Sequence, residues 1–343
     1  MRKILGTYKK IALAGAVLIL LLGCTPKGDD GKKVIILRMN SQAVSFDTDG
    51  NRLHQTFMDE VSKNSNGRIK VEPHFSSSLG GTPEAAIGGI QNKSYEMITF
   101  ALGIYAMYTN AFLPMDVPYL IDSDEMAYAV ISGDLGKKMA EKCEADTGIK
   151  MLYYNMLGFR LLSNSKHPIT APDDLKGLKI RTQANPFHMA AMEIHGASVT
   201  TTPFSELFTA LQQKVIDGQE NPIMNVRDSR FNEIQQYLTK TNHLYTFAGA
   251  GINAEFYNGL SQELRDVIGK AAATAQAQTL RELKDAEIAA YKQIGSATEI
   301  VELSGTQMAA FKEKTVPLLS RFKDQQKSDY FSQVVDEIQK LAD

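Results

Sequence analysis

Short apolar strands alternate with capped helices along most of this chain, and this alternation restricts the possible folds more than any other feature. Strands are predicted at residues 34–39, 69–75 and 95–100, with helical periodicity between them. Such a pattern predicts an α/β fold with largely parallel strands. The roughly 310 residues that follow the N-terminal leader exceed one ordinary core, so we expect two lobes.

The division into lobes is predicted from where the pattern changes near Gly158. We expect lobe I to comprise residues 34–157, completed by about 246–285, and lobe II to comprise residues 158–245, completed by about 286–343. One very long helix is predicted over residues 261–295, followed by two C-terminal helices over 305–322 and 330–342. The long helix would brace both lobes.

The first 23 residues are expected to be a signal peptide. Basic residues precede an apolar stretch, 11–22, which is too short to span a bilayer comfortably. The stretch ends in Leu21-Leu22-Gly23-Cys24, which is typical of a bacterial lipoprotein cleavage site. Cleavage would leave Cys24 as the first mature residue and the site of lipidation, in a protein tethered to the membrane in the periplasm or at the cell surface. The alternative is an ordinary secretory signal peptide in which Cys24 is incidental. Residues 24–33 are expected to form a flexible tether.

Composition limits the classes of partner and chemistry. Removal of the leader takes the formal net charge from -2 to -6, which argues against nucleic acid as a partner. Local charge can still favour a small anionic ligand. Cys143, the only other cysteine, is expected to be a buried, inert thiol. His188 and His195 are seven residues apart, which is not the spacing of a helical metal pair. We expect no metal, cofactor or catalytic residue.

Two arginines and an asparagine are the candidate ligand-binding residues. Arg181 ends the predicted strand 178–181, Arg160 precedes it, and Asn221 follows a predicted strand at 215–217. Ligands of open α/β sheets bind beyond the C-terminal ends of the strands. A guanidinium fork matches a carboxylate in bidentate geometry. The alternatives are surface arginines in ordinary salt bridges and a structural tight turn at 217–222.

Aromatic residues near the predicted loop ends could cover the apolar part of a ligand. Phe100, Phe187 and Phe204 are the main candidates, Tyr105 and Tyr108 lie in similar positions, and packing in the core is the alternative for each.

Three motifs in order carry a resemblance to a known family. They are APDDLKGLKIR at 171–181, PFSE at 203–206 followed by TALQ at 209–212, and DGQENP at 217–222. With these motifs the chain resembles the substrate-binding protein of a tripartite ATP-independent periplasmic (TRAP) transporter, of the dicarboxylate-binding type. The resemblance covers nearly all of the mature chain.

The resemblance implies a two-lobed, venus-flytrap periplasmic-binding-protein fold that closes on a small organic carboxylate and docks on the TRAP membrane permease subunits. It implies that Arg181 forms the main salt bridge to the ligand carboxylate and that Arg160 assists and orients the ligand. Asn221 would add a hydrogen bond, and Phe204 would contact the ligand body. Asn40 matches a ligand-contacting asparagine of the sialic-acid branch.

Two departures from that branch narrow the ligand class. Leu102 stands where sialic-acid binders carry a glutamate, and Ala184 stands where they carry a polar residue. The pocket is therefore expected to be less polar, and to suit a smaller dicarboxylate, a sugar acid or a monocarboxylate with an apolar tail. Two other functions remain open: a ligand-sensing lipoprotein for a signalling partner, and an enzyme built on the same fold.

Overall fold

The computed structural model describes residues 33–295, 298–326 and 328–342. The predicted signal peptide, Cys24 and residues 25–32 of the predicted tether lie outside the described residues. Within those ranges, no helix combines the length and the apolar character needed to cross a bilayer.

In the described part of the chain ten strands are joined into one mixed sheet. They are β1 Ile35–Ser41, β2 Ile69–His74, β3 Met97–Ala101, β4 Ile149–Asn164, β5 Lys179–Thr182, β6 Ser198–Thr201, β7 Gly218–Pro222, β8 Tyr237–Thr239, β9 Tyr245–Asn253 and β10 Glu299–Val301. The strand order is β2-β1-β3-β9-β4-β7-β5-β6, and β8 pairs with β4 and β10. The groups β2-β1-β3 and β7-β5-β6 are parallel, which confirms the predicted α/β class.

Helices connect and cover these strands. They are α1 Arg52–Asn64, α2 Pro83–Gln91, α3 Asp124–Ser132, α4 Asp134–Thr147, α5 Pro186–Glu193, α6 Phe204–Gln212, α7 Ile223–Asp228, α8 Ala254–Asn258, α9 Gln262–Gln276, α10 Thr279–Ile294, α11 Gly305–Gln326 and α12 Asp329–Gln339. Short 3₁₀ turns lie at Leu102–Met107, Leu113–Asp116, Pro172–Leu175 and Phe231–Glu233.

Two long antiparallel strands link the two parallel groups. Strand β4 pairs with β9 from Ile149 to Phe159 and then with β7 from Arg160 to Asn164. Strand β9 pairs on its other side with β3. The chain therefore crosses between the two lobes inside a continuous sheet.

Strand β4 is longer than the prediction of 150–156. Gly158 lies at an irregularity in the pairing with β9 and adopts a φ of +88°, and the strand continues beyond it. A glycine with positive φ can add a bulge to a strand without ending its pairing. The strand therefore carries Arg160 into the second lobe.

The prediction of a single helix over 261–295 was wrong, because α9 ends at Gln276 and α10 begins at Thr279. The side chains at this break cap irregular backbone in β4. Gln276 Oε1 accepts from the N–H of Tyr154 at 3.0 Å, and Thr279 Oγ1 accepts from the N–H of Met156 at 2.7 Å. The break thus supplies side-chain acceptors for two backbone donors of β4, in the part of the strand that pairs with β9 alone.

The strand predicted at 215–217 was also misplaced. The structure has β7 at Gly218–Pro222, so Asn221 lies within a strand rather than after one. Every residue of β7 is buried although its sequence is polar. Its polar side chains are hydrogen-bonded inside the protein, which removes the usual penalty for burial.

Apolar faces of the helices hold the first lobe together. On α1, Leu53, Phe57 and Val61 recur at four-residue spacing, are fully buried, and pack in one cluster with Ile268 of α9. Burial of each such side chain stabilises the fold by about 1.5–3 kcal/mol. Cys143 in α4 is also buried, and burial raises the pKa of its thiol to about 12, as expected for an inert thiol.

Candidate functional site

A cleft lies where the two lobes meet, at the C-terminal ends of the parallel strands. Its cavity volume is about 240 Å³. From the first lobe it is lined by the C-terminal ends of β1 and β3 with the residues that follow them and by the start of α2, and from the second lobe by the ends of β5 and β6 with the residues that follow them and by β7 and α7. This is the position in which open α/β sheets bind ligands.

Arg181 is a buried cation without a carboxylate partner. It lies in β5, lines the cleft, and is only 3% exposed. Its Nε donates to the carbonyl oxygen of Thr202 at 2.8 Å, and Nη2 donates to the same oxygen. Across the described ranges no carboxylate oxygen lies within 4.0 Å of its guanidinium. Burial lowers the pKa of Arg181 to about 10, so it remains charged at neutral pH.

Arg160 lines the same cleft but already has a partner. Its Nε donates to Glu220 Oε2 and its Nη2 donates to Glu220 Oε1 at 2.9 Å. Nη1 donates to Thr246 Oγ1 at 2.9 Å, and Nη2 lies 3.2 Å from Asn221 Oδ1. Arg160 and Glu220 are 1% and 0% exposed. The pair is therefore electrically neutral, and Glu220 holds the Arg160 side chain in place at the cleft wall.

Two histidines and an aspartate extend this buried network. His188 Nε2 lies 3.1 Å from Asp116 Oδ1, and its Nδ1 lies 3.6 Å from Glu220 Oε1. Burial disfavours protonation of His188, but Asp116 and Glu220 outweigh it and raise its pKa. His243 Nε2 lies 3.3 Å from Glu220 Oε2, and there burial prevails and lowers the pKa. Glu220 is itself buried, yet Arg160 and both histidines hold its pKa well below the ordinary value.

Asn221, Phe204 and Phe100 also lie on the cleft wall. Asn221 is 4% exposed, and its Nδ2 donates to Gln219 Oε1, so its amide is fixed in orientation. Phe204 at the start of α6 packs edge-to-face on Phe231, with ring centroids 5.8 Å apart. The structure thus brings together Arg181, Arg160, Asn221, Phe204 and Phe100.

Three of the predicted contact residues lie behind the wall instead. Asn40 accepts a hydrogen bond from the N–H of Leu79 and donates to the carbonyl of Gly80, so it holds the turn that precedes α2. Leu102 is buried in the apolar core. Phe187 is fully buried and stacks on Phe322 with ring centroids 3.6 Å apart. None of the three is among the residues that line the cleft.

Several cleft residues were not predicted from the sequence. They are the neutral polar side chains Gln42, Gln183, Thr201, Thr202 and Asn225 and the carboxylate Asp228. Four of them directly follow or end a parallel strand, β1, β5 or β6. The rule that ligands bind beyond strand ends could therefore have identified these four from the sequence, but Asn225 and Asp228 lie in a helix.

The comparisons with known proteins agree with this geometry. Residues 39–326 match the family described as bacterial extracellular solute-binding protein, family 7, which comprises TRAP solute-binding proteins. The chain belongs to this family. Family 7 is a group of substrate-binding proteins, and its members are periplasmic.

Among the relatives, the C4-dicarboxylate-binding periplasmic protein DctP of Rhodobacter capsulatus is 32% identical over 321 residues, which is 92% of each chain. For two other curated relatives, the part that matches this chain is 61% and 66% of their own length.

Solved structures show the same two-lobed fold. The sugar-acid-binding protein DctPAm of Advenella mimigardefordensis, in complex with galactonate, is 31% identical with a TM-score of 0.85, and the match covers 90% of this chain and 99% of that one. A TRAP solute-binding protein of a Polaromonas species, bound to D-erythronate, is 30% identical with a TM-score of 0.82 over 89% and 98% of the two chains.

Proposed function

We propose that this protein captures a small organic carboxylate outside the cytoplasm and delivers it to a TRAP-type membrane permease. The observation that carries the proposal is Arg181, a buried guanidinium that faces the cleft without a carboxylate partner among the described residues. A buried charge is stable only when it is paired. A ligand carboxylate supplies the missing partner.

The other predicted residues support this role. Arg160 and Asn221 form a fixed polar wall beside Arg181, and Phe204 and Phe100 cover the ligand body. The relatives bind ligands of this chemical class, because those named above bind C4-dicarboxylate, galactonate or D-erythronate.

Binding without turnover is part of the proposal. Of the titratable groups that line the cleft, His54 is paired with Tyr153 and Asp228 with Arg227, and the buried Glu220, His188 and His243 behind it are tied to Arg160 or to one another, which gives them structural roles. Incubation of the protein with a bound acid, followed by mass spectrometry, should recover that acid unchanged. A chemically altered product would favour an enzyme instead.

Anchoring by lipid at Cys24 is also a proposal, supported by the sequence Leu21-Leu22-Gly23-Cys24. Expression with a radiolabelled fatty acid should label the protein, and Cys24→Ser should abolish the label. Labelling that persists in Cys24→Ser would contradict this assignment.

Isothermal titration with a panel of organic acids tests the receptor function on the exported, processed protein. Carboxylates should bind, and uncharged analogues of the same size should not. Arg181→Ala should weaken binding more than about a hundredfold, because truncation of one side of a buried ion pair costs about 3–5 kcal/mol. A loss of less than about tenfold would contradict the proposal.

A further inference from the structure

The distribution of charge on the cleft wall points to a narrower ligand class. Resting on the proposed function, we infer that the cleft selects a polyhydroxylated monocarboxylate and discriminates against the dicarboxylate of the same carbon number. Both the charges and the neutral polar groups of the cleft wall favour this ligand class.

The cleft offers one unpaired positive charge. Among the described residues that line it, Arg160 and Arg181 are the only lysine or arginine side chains. Arg160 is neutralised by Glu220, so Arg181 alone calls for an anion. His54 also lines the cleft, but it is fully buried with its Nδ1 2.8 Å from Tyr153 Oη, and burial lowers its pKa to about 3. It is therefore neutral at physiological pH.

A second ligand carboxylate would meet acidic groups and no free cation in the described part of the wall. Asp228 lines the cleft and uses Arg227 as its partner, with Oδ1 2.6 Å from Nε. Glu84 lies at the rim in the first turn of α2. Since Arg227 already balances the charge of Asp228, no unpaired cation remains there among the described residues to compensate a second ligand carboxylate, which disfavours a dicarboxylate.

The N-terminus of α2 offers fewer backbone donors to an anion than an uncapped helix does. Thr82 Oγ1 accepts the N–H of Ala85 at 3.1 Å, and Pro83 has no N–H to donate. The backbone donors there are thus partly consumed by the protein itself.

Neutral amides and hydroxyls form much of the remaining polar surface. Gln42 Oε1 accepts from the N–H of Ala101 at 2.8 Å, which directs its amide without using the Nε2 donors. Asn225 and Ser229 line the cleft, and their side chains make no hydrogen bond within the described chain. An amide and a hydroxyl each donate and accept, as the hydroxyls of a sugar acid do. An apolar ligand tail would leave these groups unpaired, which is unfavourable.

Matched acids that differ at one terminal carbon test this inference. An aldonate ends in CH₂OH where the corresponding aldarate ends in a second carboxylate, so threonate is compared with tartrate and gluconate with glucarate. The experiment is titration calorimetry on the exported, processed protein at pH 7.5. Whichever aldonate binds more tightly should have an affinity at least about a hundredfold higher than that of its matching aldarate.

The failures of the two proposals are distinguishable. An aldarate or succinate that binds as tightly as the aldonates, with binding lost in Arg181→Ala, would overturn the selectivity while the receptor function stands. Absence of binding by all of the organic acids tested, with co-purified ligand removed by denaturation and refolding and the refolded state verified by circular dichroism, would overturn both.

A single substitution tests the role of charge, with the ratio of two ligand affinities measured on the same protein as the readout. Asp228→Asn removes the carboxylate that pairs with Arg227 and leaves that guanidinium unpaired beside the cleft, while it preserves side-chain volume. The aldarate-to-aldonate affinity ratio should rise by about fivefold, since a second ligand carboxylate then meets an unpaired cation. An altered fold would change both affinities together, whereas the ratio reports the charge. An unchanged ratio would overturn the assignment.

Discussion

Arg160 donates hydrogen bonds to both carboxylate oxygens of Glu220, and the two side chains are among the most deeply buried in the protein. Their charges cancel, so Arg160 contributes a polar surface to the cleft wall but no net charge. This pairing explains why two arginines on one cleft wall can coexist. It also leaves Arg181 as the group whose charge a ligand satisfies.

Glu220→Gln should destabilise the protein by about 3 kcal/mol or more, because it leaves the Arg160 guanidinium buried and unpaired. The measurement is the free energy of unfolding in urea. The double variant Arg160→Met with Glu220→Leu is the control, since it removes both charges and should be less destabilised than Glu220→Gln. Equal or greater destabilisation of the double variant would show that the pair is not coupled in this way.

Arg181→Met should act in the opposite direction on the ligand-free protein. Removal of an unpaired buried charge should raise the free energy of unfolding by about 1 kcal/mol, although the hydrogen bonds to Thr202 are lost. The same variant should lose ligand-induced stabilisation, which for the wild type is about 2.7 kcal/mol at a hundred times the dissociation constant. Thermal unfolding with and without ligand measures both effects. Destabilisation of the ligand-free variant by about 2 kcal/mol or more would mean that Arg181 is structural.

The candidate site illustrates what sequence alone could supply. Arg181 could be predicted because an arginine at the end of an apolar parallel strand faces the place where such sheets bind ligands. The Arg160–Glu220 pair joins residues 60 positions apart, and no local pattern reveals that Glu220 neutralises one arginine and not the other. The charge left for the ligand is therefore a property of the folded chain.

The missed elements have a common physical cause. Strand β7 was placed too early because its polar sequence lacks the apolar pattern of a buried strand, although tertiary hydrogen bonds permit its burial. The break between α9 and α10 contains neither Gly nor Pro, and the apolar periodicity continues across it. Phe187 and Leu102 lie near strand ends, but side-chain direction turned them towards the core.

Gly158→Ala should destabilise the protein by about 1–2 kcal/mol, because residue 158 has a φ of +88° in the strand that links the lobes. An added Cβ would also lie 2.5 Å from Glu287 Oε1. Gly269→Ala is the matched control: it lies within α9, and an added Cβ there would meet no atom within 4 Å. That change should stabilise by about 0.5–1 kcal/mol. Similar unfolding free energies for the two variants would contradict the role of Gly158 as a bulge.

Glu287 should make stability depend on pH. It lies on α10 beside Gly158, and burial together with the nearby charge of Asp124 raises its pKa from 4.5 to about 7, against a smaller opposing effect of Lys240. Between these values the unfolded chain releases the proton while the folded protein retains it. Stability is therefore lost as the pH rises from 4.5 to 7 and is not regained above 7.

Glu287→Gln removes this titration, so the free energy of unfolding of the variant should rise relative to that of the wild type as the pH increases from 4.5 to 7. Because Glu287 is only partly buried, solvent screening limits the expected gain to about 1.4 kcal/mol, the value of one pKa unit. Urea unfolding of both proteins at pH 5 and pH 8 measures the difference. Asp285→Asn, on the same helix, is the control for loss of one carboxylate, because Asp285 is exposed to solvent. Its variant should gain no comparable stability at pH 8. A difference between Glu287→Gln and wild type that stays constant with pH would show that Glu287 titrates normally in the folded protein.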